Sequence, residues 1–88
     1  LASAGVAQGL PAKLAMQLAK ATVAGAGMLA IQSKEDPAKL RVNVTSPKGT
    51  TEAALEVLMD AKCGFPALLP KAVAAATARS KELANGSN

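Results

Sequence analysis

The stretch Val44-Thr45-Ser46-Pro47-Lys48-Gly49-Thr50-Thr51-Glu52 gathers hydroxyl side chains, a proline, a lysine and a glycine between two helix-like patterns. It reads as a loop that opens onto a helix N-terminus. Pro47 holds Ser46 extended and out of the α region, and Gly49 lets the backbone turn or approach a ligand with no Cβ in the way. Thr50 or Thr51 is the natural N-cap, and Glu52 falls in the first turn, where negative charge is favoured. Such a start leaves several backbone N–H groups unpaired and carries partial positive charge. That arrangement holds a carboxylate or a phosphate without a dedicated side chain. An ordinary capped turn has the same composition, so the local pattern leaves both readings open. Little else in the chain suggests chemistry. It has no histidine, and Cys63 is the single cysteine, which excludes an intrachain disulfide and any zinc or redox spacing. A small apolar filler near a turn is the expectation for Cys63, ahead of a reactive thiol.

The elements that would position this loop are all helical. Leu1 to Gln8 reads as a helix tail, with Gly9 just past its end. Pro11 fits the first position of a second helix running to about Ser33. Lys13, Gln17 and Lys20 fall on one narrow stripe of it, and apolar residues cover most of the rest, which is the mark of a buried helix. Gly25 and Gly27 inside it each cost about 1 kcal/mol against alanine; close approach of another helix, or of the path taken by a ligand, would compensate. Asp36-Pro37 reads as N-cap and first residue of a short helix ending near Val44. After the loop, Leu55, Leu58 and Met59 line one face of an amphipathic helix to about Lys62. Cys63-Gly64 breaks it, and Phe65-Pro66 starts a last helix with Pro70 in its first turn or at a kink just after. Asn85-Gly86-Ser87-Asn88 reads as a frayed tail. No segment alternates like a strand, and no internal repeat is visible. The fold class is all-α.

Composition limits what these helices can do alone. The chain has 88 residues, half of them hydrophobic, but Phe65 is the only aromatic ring. Much of the apolar content is alanine, which favours helix and buries little area. A chain this short, without large anchors, disulfides or a metal, needs another subunit or domain to be stable. The net charge of +4 is spread along the chain, whereas a nucleic-acid binder shows a clustered stripe, often with stacking aromatics. No uncharged apolar run reaches the ~20 residues of a membrane span, and no secretory signal is visible. The expectation is a soluble, cytoplasmic protein, with an organelle in a eukaryote left open, and no nucleic-acid or membrane partner. The chain lacks an initiator Met and starts within a helical pattern, which reads as a piece of something longer.

Taken in order, these features resemble the C-terminal helical domain of pyrroline-5-carboxylate reductase, from Leu1 to about Leu83. Gly9-Leu10-Pro11 is similar to that family's helix junction, and Asp36-Pro37-Ala38-Lys39-Leu40 to its short helix of the form (His/Asp)-Pro-x-x-Leu. Val44 to Thr51 resembles its signature loop, Cys63-Gly64-Phe65 its Gly-Gly-Phe turn, and Ala74 to Leu83 its closing helix. Any one alone is weak; in this order they are specific. One position departs: the family usually carries Gly-Gly after the proline, and this chain has Lys48-Gly49.

The resemblance implies an all-α dimerisation domain of the kind found C-terminal in 6-phosphogluconate dehydrogenase-type oxidoreductases. Residues 1–88 would form the dimerisation and substrate-binding domain, interlocked with a second copy in a homodimer that can assemble further. The family reduces the cyclic imine 1-pyrroline-5-carboxylate to L-proline with NADPH or NADH, in the last step of proline biosynthesis. Its dinucleotide sits mainly in an N-terminal Rossmann domain, and no G-x-G-x-x-G occurs in this sequence. Backbone amides around Ser46, Gly49, Thr50 and Thr51 would hold the substrate carboxylate, and the Thr51 hydroxyl would lie near the ring nitrogen, which makes Thr51 the catalytic candidate. The imine would react in its protonated form, with orientation and exclusion of water as the protein's share. No metal is implied. Lys48 either adds a charge-assisted contact to an anionic group or stands in water; the second is expected, because lysine is rarely buried unpaired. A positive φ at this position would strain the loop. The isolated chain is not expected to be active. The competing reading is a non-enzymatic, alanine-rich helical module for self-association.

Overall fold

The computed structural model describes residues 1–86 and divides them into two compact units, Leu1–Asn43 and a second from Val44 onward. The first holds α1 (Ala2–Ala7), α2 (Ala12–Gln32) and α3 (Pro37–Asn43); the second holds α4 (Thr50–Leu58) and α5 (Phe65–Ala84). No strand occurs among the described residues, as the all-α reading requires.

In the first unit, α1 ends where Gly9 enters the left-handed region at φ 103°. The Leu10 N–H then reaches back to the Gly5 carbonyl at 3.1 Å and the Gly9 N–H to the Val6 carbonyl at 2.9 Å. This is the Schellman pairing, in which a glycine past the helix end lets the last carbonyls find donors. The turn folds α1 onto α2. A Cβ on Gly5 would stand 3.2 Å from Leu10 Cδ1 and 3.4 Å from Ala15 Cβ, so the small residue sets how closely the two helices approach. Pro11 precedes α2 as its N-cap, one position earlier than expected, with ψ 141°. At the far end, the expected N-cap of α3 is borne out: an Asp36 carboxylate oxygen accepts the Ala38 N–H at 3.1 Å.

Ala15 is the one buried hydrophobic residue among those described. The expectation that α2 is buried therefore fails within a single chain. Val23 is 69% exposed and Ile31 84%, and nothing lies within 4 Å of a Cβ built on Gly25 or Gly27. The apolar circumference is real, but this chain does not cover it. By length and composition α2 is also apolar enough to cross a membrane, its only charged residues being Lys13 and Lys20. Lys20 interrupts the helix near its middle, so no uncharged run within it reaches a membrane span.

In the second unit, α4 stops at Leu58 rather than near Lys62. Asp60 explains the early end. One of its carboxylate oxygens accepts the Lys62 N–H at 3.0 Å and the Cys63 N–H at 2.7 Å, and its carbonyl accepts the Gly64 N–H at 2.9 Å. A short acidic side chain that binds the following amides offers the backbone an alternative to helix. Gly64 is buried in the bend; a Cβ there would stand 2.4 Å from the Leu58 carbonyl oxygen and 2.6 Å from the Asp60 nitrogen. Cys63 is exposed, contrary to the filler expectation, because its amide rather than its thiol joins the turn. Pro70 lies inside α5, beyond its first turn. Asn85 closes α5 and Gly86 takes φ 77°, its N–H donating to the Leu83 carbonyl, so these two residues end the helix in order rather than fray. The rest of the expected tail, Ser87 and Asn88, lies outside the described residues.

Candidate anion site at the mouth of α4

Ser46, Pro47, Lys48 and Gly49 form one β-turn, closed by the Gly49 N–H donating to the Ser46 carbonyl at 3.0 Å. Proline at the second position and a positive φ at the third are the marks of a type II turn. That third residue is Lys48, at φ 61°, the one non-glycine residue with positive φ among those described. A side chain in this region costs about 1–2 kcal/mol, since its Cβ crowds the carbonyl. A glycine at this position would be free of that cost, and this chain bears the strain at Lys48. Lys48 is exposed.

Gly49, and not Thr50 or Thr51, is the N-cap of α4, with φ −89° and ψ −178° and no side-chain cap. The cap thus lies one or two residues before the threonines that the sequence favours. The type II turn delivers the chain to the helix in extended geometry at Gly49, so both threonines are already inside the first turn. A Cβ on Gly49 would meet the Ser46 oxygen at 3.2 Å and the Ser46 Cβ at 3.3 Å, tight but not prohibitive.

The Gly49 amide is spent within the turn, which removes it from the set of amides expected to face a ligand. The Ala53 N–H returns to the Gly49 carbonyl at 3.2 Å. Between them, the amides of Thr50, Thr51 and Glu52 find no backbone acceptor among the turn and cap bonds of the described residues. They are the orphan donors of a helix start. The hydroxyls of Thr50 and Thr51 stand on the same turn; Thr50 is exposed and Thr51 half-buried. Glu52, also half-buried, brings a carboxylate to the positive end of the helix. It stabilises α4 there, and it repels any second anion.

The starts of α3, α5 and α2 differ. At α3, Pro37 has no N–H, Ala38 donates to the Asp36 carboxylate and Lys39 to the Asp36 carbonyl at 2.9 Å. At α5, Pro66 has no N–H and Ala67 donates to the Gly64 carbonyl at 3.1 Å. The start of α2 also lacks a side-chain cap, but its first-turn residues, Ala12, Lys13 and Leu14, carry no hydroxyl. Open amides and hydroxyls coincide at α4 and, through Ser3 alone, at the start of the six-residue α1; α4 carries two hydroxyls and the longer helix. The Asp60 bend went unread in the sequence, although an aspartate a few residues before a glycine is a recognised turn signal.

The whole of this pattern can be set against known proteins. Residues 1–83 match the family model for pyrroline-5-carboxylate reductase dimerisation. The chain belongs to that family. It is 49% identical over 83 residues to pyrroline-5-carboxylate reductase of Pisum sativum, covering 94% of this chain and 30% of that protein. Identity is 44% over 84 residues to the Pseudomonas aeruginosa reductase, covering 96% and 30%. To pyrroline-5-carboxylate reductase 2 of Homo sapiens it is 42% over 83 residues, covering 94% and 25%. The chain thus spans less than a third of the length of the curated relatives it matches. Membership in a dimerisation family supports homo-oligomerisation. The apolar length of α2 lacks a cover within one chain.

Proposed function

We propose that residues 1–88 are the oligomerisation and substrate-carboxylate-binding domain of a pyrroline-5-carboxylate reductase, acting in proline biosynthesis. The observation that carries this reading is the coincidence of unpaired Thr50, Thr51 and Glu52 amides with threonine hydroxyls, in a chain that belongs to that reductase family. The amides of Thr50 and Thr51 hold the carboxylate of the cyclic imine, aided by the field of α4. The Ser46 hydroxyl borders the same turn. Gly49 contributes space and extended geometry rather than a donor. The Thr51 hydroxyl orients the ring nitrogen, and the substrate's protonated form is the electrophile.

The residues described do not build a dinucleotide pocket: they contain no strand–turn–helix phosphate cradle. NADPH or NADH belongs mainly to a Rossmann domain outside residues 1–88, and no step through it is assigned to this chain. What this domain supplies is a fixed substrate orientation and a dimer that holds it. The proposed assembly is a homodimer, open to higher association, in the cytoplasm, with no nucleic-acid or membrane partner.

Kinetics of a full-length reductase carrying this domain test the reading. Thr51→Ala should lower kcat/KM by about 10-fold or more, the order expected for one lost hydrogen bond to a charged group, with the dimer intact by sedimentation. Thr51→Ser, which keeps the hydroxyl, should restore most of the loss. Wild-type turnover in Thr51→Ala would remove Thr51 from the site. The chain as it stands should show no imine reduction with NADPH or NADH; activity would overturn the division of labour.

A further inference from the structure

We draw no further inference here: the strongest candidate, the open apolar groove of about 550 Å³ on α1 and α2 lined by Leu1, Met16, Ala19 and Val23, restates the self-association surface of the dimerisation family to which the chain belongs, and nothing in the structure shows any other occupant covering it.

Discussion

The bends that lead into α4 and α5 are built from similar parts and end in opposite conditions. Each turns through a glycine N-cap without a side-chain cap, and each is closed by one backbone hydrogen bond, Gly49 to Ser46 and Gly64 to Asp60. At α5 all but one of the donors are consumed, the Phe65 N–H alone having no acceptor among the turn and cap bonds of the described residues. Asp60 takes two amides, Pro66 has none to offer, and Ala67 bonds to Gly64. At α4 the turn spends only the Gly49 amide and leaves the next three without such a partner. A bend with one open amide serves as a structural joint; one with three in a row has hydrogen-bonding capacity left for a ligand. The difference lies in where proline and an acidic side chain fall: Asp60 precedes Gly64 and Pro66 follows it, whereas Pro47 precedes Gly49 and Glu52 follows it.

Substitutions can break this contrast. Gly64→Ala carries the largest effect, because the new Cβ would meet backbone atoms of Leu58 and Asp60 that have no flexible end to move. We expect a loss of about 2–3 kcal/mol, read as a fall in the thermal midpoint at fixed protein concentration, since dimerisation makes stability concentration-dependent. Gly49→Ala should cost less, its nearest neighbours being at 3.2 and 3.3 Å. Equal losses at the two glycines would erase the distinction between joint and site. Asp60→Ala comes next. It frees the Lys62 and Cys63 amides to water and should cost about 1–2 kcal/mol, while leaving ligand binding at α4 unchanged in a full-length reductase.

Lys48→Gly works in the other direction. It removes the left-handed lysine and should stabilise the protein by about 0.5–1 kcal/mol, the relief of strain less the added freedom of the unfolded chain. A destabilised variant would show that the lysine side chain holds the turn in some other way. Glu52→Gln is the smallest of the set. Removing the competing carboxylate from the mouth of α4 should tighten binding of an anionic substrate analogue by about 2–5-fold, at a cost to helix stability of about 0.3–1 kcal/mol. Weaker binding in this variant would show that Glu52 assists the site.

The sequence was informative where a residue type acts through its own backbone. Gly9 past α1, Asp36 before Pro37, and proline beside Ser46 and Phe65 each mark a boundary for a local steric or donor reason, and helices begin or end there. It was misleading where geometry depends on a neighbour. Threonine is a better N-cap than glycine by propensity, yet the type II turn puts Gly49 at that position and both threonines inside. The amphipathic pattern ran through to Lys62, and the Asp60 carboxylate ended α4 four residues sooner. Periodicity identified α2 as a helix with little polar surface, but periodicity does not say whose atoms cover it. In one chain only Ala15 of that helix is buried; the proposed homodimer would supply the cover.

Amide chemical shifts followed during titration with L-proline, a cyclic carboxylate of the product's shape, test the central claim most directly. The binding account predicts that the N–H resonances of Thr50, Thr51 and Glu52 move together and saturably, while those of Gly49, Ala38 and Ala67, already bonded within the fold, stay in place. Shifts centred on those bonded amides instead, or none at the mouth of α4 in a full-length reductase that still binds proline, would contradict it.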